Sequence, residues 1–468
     1  MYAVQMTERL DTTPSSVQPP FSLLSALYGD PATSALLSAD RTIERWLAVE
    51  VALASAQAQV GDITAEQAAA VREAARAENI DAERLWREAV NVGYPIMPLI
   101  QMMVEALPDG ADDRVHYGAT TQDIMDTALA LQLRDVSDRL LGLLGDLGDA
   151  LARRTSEHRR TVMAARTHAQ QAVPTTLGAK LAVFLDQCAR HRRRLAAARE
   201  AVAVVSLHGA GGTSAALGPH AGRVRALVAE ELGLRDTEVP WHVARDGLVE
   251  LGQACANVTS TLARLAREVV DLSRTEIGEV SEASGHHRGA SSTMPQKRNP
   301  ITSEALIGLA VSVGALAAGL PRIGEAGHER AAGEWQAEWF LLPHIAALTA
   351  GALAAAHELV QRLEVSPRAM AGNLGADHGL VMAEAWMFRL APGLGRQRAH
   401  DLVYEAGRRA RIDDTSLAAA VAALRPASSD HDGAIDPASY IGEAERACDA
   451  AFASWGGGCL PGRRDREA

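Results

Sequence analysis

Residues 129–150, LALQLRDVSDRLLGLLGDLGDA, place Leu129, Leu133, Val136, Leu140, Leu143, Leu147 and Ala150 alternately four and three positions apart. That spacing keeps one apolar stripe along a helix and packs it on other helices. Two more stretches repeat it. Leu177, Leu181, Phe184, Cys188, His191, Leu195 and Ala198 form the second, opening just after Pro174, where a helix start tolerates the missing N–H. His191 therefore reads as a helix-packing histidine. Leu251, Cys255, Val258, Leu262, Leu265, Val269 and Leu272 form the third. Each of the three is expected to exceed about 30 residues, roughly 45 Å at a rise of about 1.5 Å per residue, and three such rods imply a long central bundle. Further helices are expected from Ile301 and from Gly333.

Composition points the same way. Alanine and leucine are abundant and aromatics make up only 4%, which favours long, closely packed helices, and 468 residues suit two or three packed regions. The fold is expected to be all-α. Net charge is −12 with no run of basic residues, so the stripe that neutralises nucleic-acid phosphates is missing and no nucleic-acid partner is expected. An anionic substrate then requires a local positive pocket. Cys188, Cys255, Cys448 and Cys459 form no CxxC pair and no metal-ligand spacing, which suits reduced thiols and no bound metal. No charged start precedes an apolar segment, and no uninterrupted apolar run is long enough to cross a bilayer, so a cytoplasmic protein without membrane contact is expected. The opening MYAVQMTERLDTTPSSVQPP reads as a loose arm and the final WGGGCLPGRRDREA as a tail.

One segment breaks the helical pattern. Residues 285–300, GHHRGASSTMPQKRNP, hold glycines, paired serines, two prolines and three cationic side chains with almost nothing apolar, so they form a loop. Such a loop is often a plain connection, with His286 and His287 solvated. Here Ser291 and Ser292 stand within eight positions of Lys297 and Asn299, in a segment able to close over a substrate. A serine without a partner is a poor base, so Ser291 must gain acidity from backbone N–H groups and nearby cations.

The run ASSTMPQKRNP at 290–300 resembles the GSSxMPxKxNP loop of the fumarase/aspartase superfamily. VHYGATTQD at 115–123 is similar to that family's HxGxTSxD region, and RTHAQQAVPTTLG at 166–178 to its RTHxQxAxPxTxG region. PWHVARD at 240–246 and HERAAGEWQAEW at 328–339 extend the likeness. The resemblance implies a three-region fold: an N-terminal helical domain at 1–115, a central long-helix bundle at 116–362 carrying the 285–300 loop, and a C-terminal helical domain at 363–468. It also implies a homotetramer whose core is about twenty helices, with each active site shared between subunits, and a reaction needing neither metal nor organic cofactor.

Residue by residue, the resemblance makes Ser291 the base that removes a proton next to a carboxylate. Lys297 and Asn299 then bind that carboxylate, where the aci-carboxylate intermediate gathers charge. Ser292 and Met294 belong to the same substrate-binding loop. Thr120 and Thr121 match the pair that holds a carboxylate, and His168 matches a histidine near the departing group, a candidate general acid. Arg330 becomes a carboxylate ligand by the same alignment, although a surface HER motif is its bland reading. His116 is either a substrate ligand or a buried structural histidine. Ala290 departs from the usual glycine and Thr121 from the usual serine.

Within the family, Trp335, Gln336 and Trp339 stand where adenylosuccinate lyases hold a nucleotide phosphate. Trp335 and Trp339, four apart, serve equally well as core or as a pocket wall. GEWQAEW, PWHVARD and the GGTSAALG of 211–218 resemble the carboxymuconate cycloisomerase branch, while His168 is retained where cycloisomerases usually carry another residue, and His208 stands in place of a glycine. The combination implies β-elimination from a small dicarboxylate, a 2-substituted succinate, to give fumarate, with C–N cleavage of nitrosuccinate and release of nitrite placed first. 3-Carboxy-cis,cis-muconate cycloisomerase is the second reading and adenylosuccinate lyase the third. A non-catalytic, crystallin-like structural protein is the reading of another class, and the presence of Ser291, Lys297, Asn299 and His168 together speaks against it.

Overall fold

A computed structural model describes residues 27–109, 111, 113–283, 285, 288–330, 332–425 and 433–456. The arm at 1–20, the tail after Gly456 with Cys459, and His286 and His287 lie outside the described residues. The three apolar seams are helices: Thr121–Glu157, Leu177–Val202 and Asp246–Leu272. Apart from half-buried Leu129, every residue of the three seams is buried, His191 among them at 4% exposure. His191 Nε2 lies 2.9 Å from Thr261 Oγ1, so this histidine packs one helix on another. The later helices run Ile301–Gly319 and Glu334–Gln361, starting within one residue of expectation.

Two features differ from the sequence reading. Only the first seam helix passes 30 residues, at 37; the others have 26 and 27. The second helix opens at Leu177, and Pro174 is not part of its first turn. Pro174 sits instead in a strand, Gln170–Thr176, which pairs antiparallel with Val162–Thr167 and sets Pro174 opposite Ala164. A second, two-residue pairing joins Val280–Ser281 to Glu364–Val365. The expected all-α fold is thus a mostly helical fold with two small antiparallel pairings. Ile301–Glu325 and Glu334–Gln361 are also long and apolar enough to cross a membrane by length and composition alone, despite the serines, threonines and glutamates that interrupt them. Among the described residues Cys188, Cys255 and Cys448 are free and buried, and burial pushes the Cys188 and Cys255 thiols up to about 12, where they stay protonated and unreactive.

The chain divides into two compact units. The first takes the described residues of Met1–Leu143, with Arg192–Ser260 and Gly308–Ala354. Its core joins Trp46, Leu85, Ile96, Leu99, Met103 and Leu131. The helix Ala39–Val60 opens on a Ser38 cap, whose hydroxyl accepts from Arg41 N, and ends at Gly61 in the left-handed region, a common way to close a helix. The second unit takes Leu144–His191, Thr261–Ile307 and the described residues of Ala355–Ala468. There the helices Ala383–Leu394 and Arg396–Ile412 bury Trp386, Leu390, Val403 and Ala406 together with Val421 and with Ala164 of the first strand.

Candidate active site

In the second unit, the signature loop is pinched at its base. Asn299 N donates to Gly289 O at 2.8 Å, and Ala290 pairs with Arg298 in an antiparallel bridge. Gly289 has φ +66, and a Cβ added there would lie 2.5 Å from Asn299 O, so only glycine fits. Ala290, the departure from the family pattern, is not among the positive-φ residues, so its methyl group costs the backbone nothing. The loop is held at both ends by Glu282, whose carboxylate accepts from Thr302 N at 3.1 Å and from Ser303 N and Oγ at 2.8 Å. Those donors open the helix Ile301–Gly319, where a carboxylate satisfies unpaired N–H groups and the helix dipole together.

Ser291 is half-buried while Ser292 to Arg298 are exposed. Its Oγ accepts from Met294 N at 3.1 Å and from Thr293 N at 3.3 Å. Two N–H dipoles aimed at one hydroxyl oxygen favour its alkoxide, which is what a serine base requires. Met294, Lys297 and Asn299 line a cavity of about 930 Å³ together with Arg274, Ser281 and Glu304. Lys297 forms no ion pair among the described residues, and four cationic side chains, Arg274, Arg288, Lys297 and Arg298, border this space.

His168 occupies the tip of the hairpin. Thr167 pairs with Gln170, leaving His168 and Ala169 as a two-residue turn with φ of 51 and 62. Two consecutive positive φ values are the signature of the turn type whose twist suits a hairpin. His168 is exposed there, and its position rests on Arg166 two residues earlier. The Arg166 guanidinium donates to the fully buried Glu279 carboxylate at 2.9 and 2.6 Å, and Asn373 Nδ2 adds a third donor at 2.8 Å. Glu279 directly precedes the strand Val280–Ser281 that leads into the signature segment, so one carboxylate fixes the hairpin and the root of the loop.

In the first unit, Thr120 and Thr121 stand at the start of the helix Thr121–Glu157. Asp123 organises this end. Its Oδ2 accepts from Thr120 N at 3.1 Å and Gly209 N at 2.9 Å, and its Oδ1 from His208 N at 2.9 Å and His242 Nε2 at 2.8 Å. Gly118, with φ +83, lets the preceding turn approach the 211–218 loop, since a Cβ there would lie 2.8 Å from Ala216 O. Arg330 is half-buried and donates to Gln122 Oε1 at 3.3 Å, Ala210 O at 3.2 Å and Gly209 O at 3.4 Å, so it belongs to this cluster and is not a free surface residue. His116 has φ +58, and its Nδ1 lies 2.6 Å from Oε1 of Glu50.

Behind the cluster, Arg245 bridges two carboxylates. It bonds Asp126 at 2.8 and 3.1 Å and Glu338 at 3.1 Å, with a second, short bond to Glu338, and all three groups are buried. Trp335 Nε1 donates to Asp126 at 3.2 Å, and Tyr94 stacks on the Trp335 ring at 5.5 Å while Trp339 meets it edge-on at 5.1 Å. Both tryptophans therefore belong to a packed aromatic cluster. His208 is 1% exposed with Nε2 unpartnered; burial first, and the charge of Arg225 second, depress its pKa to about 4, so it is neutral.

The predicted site residues thus fall into two sets. His116, Thr120, Thr121 and Arg330 lie in the first unit, and His168, Ser291, Ser292, Met294, Lys297 and Asn299 in the second. Sequence reasoning passed over Glu50, Asp123, His242, Arg245 and Glu279. His242 and Arg245 lay within the quoted PWHVARD, and Asp123 closed the quoted VHYGATTQD; Glu50 and Glu279 carried no local signal.

A family profile described as Lyase matches residues 29–314, and one described as Adenylosuccinate lyase C-terminus matches residues 379–451. With the helical fold and the signature loop, this makes the chain a lyase of the fumarase/aspartase superfamily, in its carboxymuconate cycloisomerase and adenylosuccinate lyase-like branch. Among its relatives, a 3-carboxy-cis,cis-muconate cycloisomerase of Pseudomonas aeruginosa is 40% identical, covering 93% of this chain and 96% of its own length. An N-acetyl-S-(2-succino)cysteine lyase of Dickeya dadantii is 34% identical over 92% and 95%. The crystal structure of 3-carboxy-cis,cis-muconate lactonizing enzyme from Pseudomonas putida matches with a TM-score of 0.87 at 38% identity, covering 93% of this chain and 99% of that one. A fumarate lyase from Mesorhizobium sp. matches with a TM-score of 0.83 at 36% identity, over 92% and 99%.

Proposed function

We propose that the chain catalyses β-elimination from a 2-substituted succinate to give fumarate, with Ser291 as base. The observation that carries this reading is the pair of backbone N–H groups on Ser291 Oγ, in a loop whose Lys297 and Asn299 border a cavity of about 930 Å³. Ser291 takes the proton next to a carboxylate, Lys297 and Asn299 hold the resulting dianion, and the bond to the β-substituent then breaks. Thr120, Thr121 and Arg330 bind the second carboxylate, and His168 attends the departing group. No cofactor enters the reaction.

The nature of the leaving group divides the readings. Retention of His168 supports departure of a heteroatom group, with nitrosuccinate and its C–N bond as one candidate. The relatives' names support a sulfur substituent or cycloisomerisation better than nitrite release. Cycloisomerisation of carboxymuconate is the second reading, favoured by the 40% identity to enzymes so named. Its reverse is the same chemistry, with an internal carboxylate as the leaving group. The experiment is a panel: S-, N- and nitro-substituted succinates assayed by the ultraviolet absorbance of fumarate, beside carboxymuconate assayed for lactone.

The protein is further proposed to work as a cytoplasmic homotetramer with shared active sites. In support, the apolar stretch Ile301–Glu325 is mostly uncovered within one chain, with Val311 64% exposed, which leaves an apolar helix to be covered. Mixing Ser291→Ala chains with His168→Asn chains tests this on an amino-substituted succinate, where each variant alone is impaired: hybrid tetramers regain activity if sites are shared, and none returns, with exchange verified, if each subunit acts alone.

A further inference from the structure

Glu50 lies in the middle of the helix Ala39–Val60 and is 1% exposed. Its Oε1 sits 2.6 Å from His116 Nδ1, and its Oε2 is buried without a hydrogen-bond partner. A carboxylate removed from water at this position is costly unless a cation compensates it, and His116 is the group in contact with it. The contact also settles the tautomer, because a carboxylate accepts and Nδ1 must donate. His116 itself is held at φ +58, a conformation that an imidazole tolerates but that the chain must enforce. Its side chain keeps 16% exposure, and its ring makes no other hydrogen bond among the described residues.

We infer that Glu50 is the positioning residue of His116, fixing Nδ1–H and keeping the ring cationic so that Nε2–H is a charged donor for a carboxylate of the substrate. The inference rests on the lyase reading above for its ligand, although the pairing stands apart from it. The charges that face His116 are Glu50 from its helix and Asp123 from the helix Thr121–Glu157. Asp123 acts at a distance, since its oxygens are taken by four donors. Burial alone would drive the proton off the ring; the hydrogen bond and charge of Glu50, helped by Asp123, outweigh it, and the His116 pKa is raised above 6.5. On its own segment, Arg114 donates to Asp113 O and lies 5.2 Å from the Tyr117 ring centre, and Asp113 accepts from Val115 N.

The test reads His116 directly. Diethylpyrocarbonate acylates neutral imidazole, and peptide mass spectrometry of the whole protein, treated across a pH series, gives the titration of His116 without any turnover. In the natural protein the midpoint is expected above that of an unperturbed histidine side chain, and in Glu50→Gln, which keeps shape and removes charge, it is expected to fall. The basic limb of kcat/KM on a substituted succinate should move down by the same amount, with KM rising at high pH while kcat at low pH is kept. A His116 midpoint at or below that of an unperturbed histidine side chain in the natural protein overturns the inference, and needs no folded variant. An unchanged midpoint in a folded Glu50→Gln protein also overturns it. Absence of turnover on every succinate, with the midpoint shift present, refutes the lyase reading and leaves the Glu50–His116 coupling standing.

Discussion

Arg166 and Glu279 are joined by two parallel hydrogen bonds of 2.9 and 2.6 Å, and through them the hairpin that carries His168 is tied to the strand that opens the signature segment. Glu279 is fully buried and its other side-chain donor is Asn373. Arg166→Met should therefore leave a buried charge largely uncompensated and cost about 3 kcal/mol, the lower end for a broken buried pair because Arg166 is partly exposed. Arg166→Lys, which keeps the charge but loses the fork, should recover only part. Denaturant midpoints check both, and a loss under about 0.5 kcal/mol for Arg166→Met would show that the pair is ornamental.

Ser291→Ala should abolish turnover and leave stability unchanged. The Ser291 side chain is half-buried, its hydrogen bonds are local to the loop, and the loop base is closed by Gly289 and Asn299 without it. Circular dichroism and thermal melts should match those of the natural protein. Residual activity would move the base elsewhere.

His168→Asn separates the leaving groups. Asparagine adopts positive φ readily, so the turn at φ 51 survives and the variant tests chemistry alone. An amine leaving as its free base needs a proton as the bond breaks, and the change should then cost about 10²-fold in kcat. Nitrite is the anion of a fairly strong acid and needs little help, so nitrosuccinate turnover should be largely retained. A large loss on nitrosuccinate would refute the binding role that this substrate assigns to His168.

Glu338 titrates where most carboxyls are fully charged. Burial first, with Asp126 adding repulsion and Arg245 opposing both, raises its pKa to about 7. A carboxyl whose folded value lies above its unfolded one favours folding while it is protonated. That contribution is complete below about 4.5 and is lost as pH rises towards 7. The natural protein should accordingly lose stability between pH 5 and about 7.5 relative to Glu338→Gln, in which this titration is absent. Parallel melting curves of the two across that range would contradict the assignment.

The helices were legible because burial repeats along them: the seams at 129–150, 177–198 and 251–272 each show the 4–3 alternation in sequence and, save Leu129, are buried in the structure. The signature loop was legible because almost nothing in it is apolar. The hairpin was not, since Pro174 resembles a helix opener locally and the partner that anchors Arg166, Glu279, lies 113 positions away. Glu50 was hidden for the same reason, 66 positions from His116 and inside an apolar helix. Asp123 stood in a quoted motif, yet its role needs donors from Thr120, His208, Gly209 and His242, which no spacing displays.

In the proposed reaction Ser291 removes a proton beside a carboxylate so that a β-substituent leaves as fumarate forms. Its most direct measurement is incubation of the protein and its Ser291→Ala variant with fumarate, excess nucleophile and deuterated water, followed by proton NMR of the succinate product. The product should be a 2-substituted succinate with one deuterium at C3, the carbon adjacent to the one that carries the new bond, formed by the natural protein and not by Ser291→Ala. Lactone from carboxymuconate with no addition to fumarate, or equal deuterium incorporation by both proteins, would contradict it.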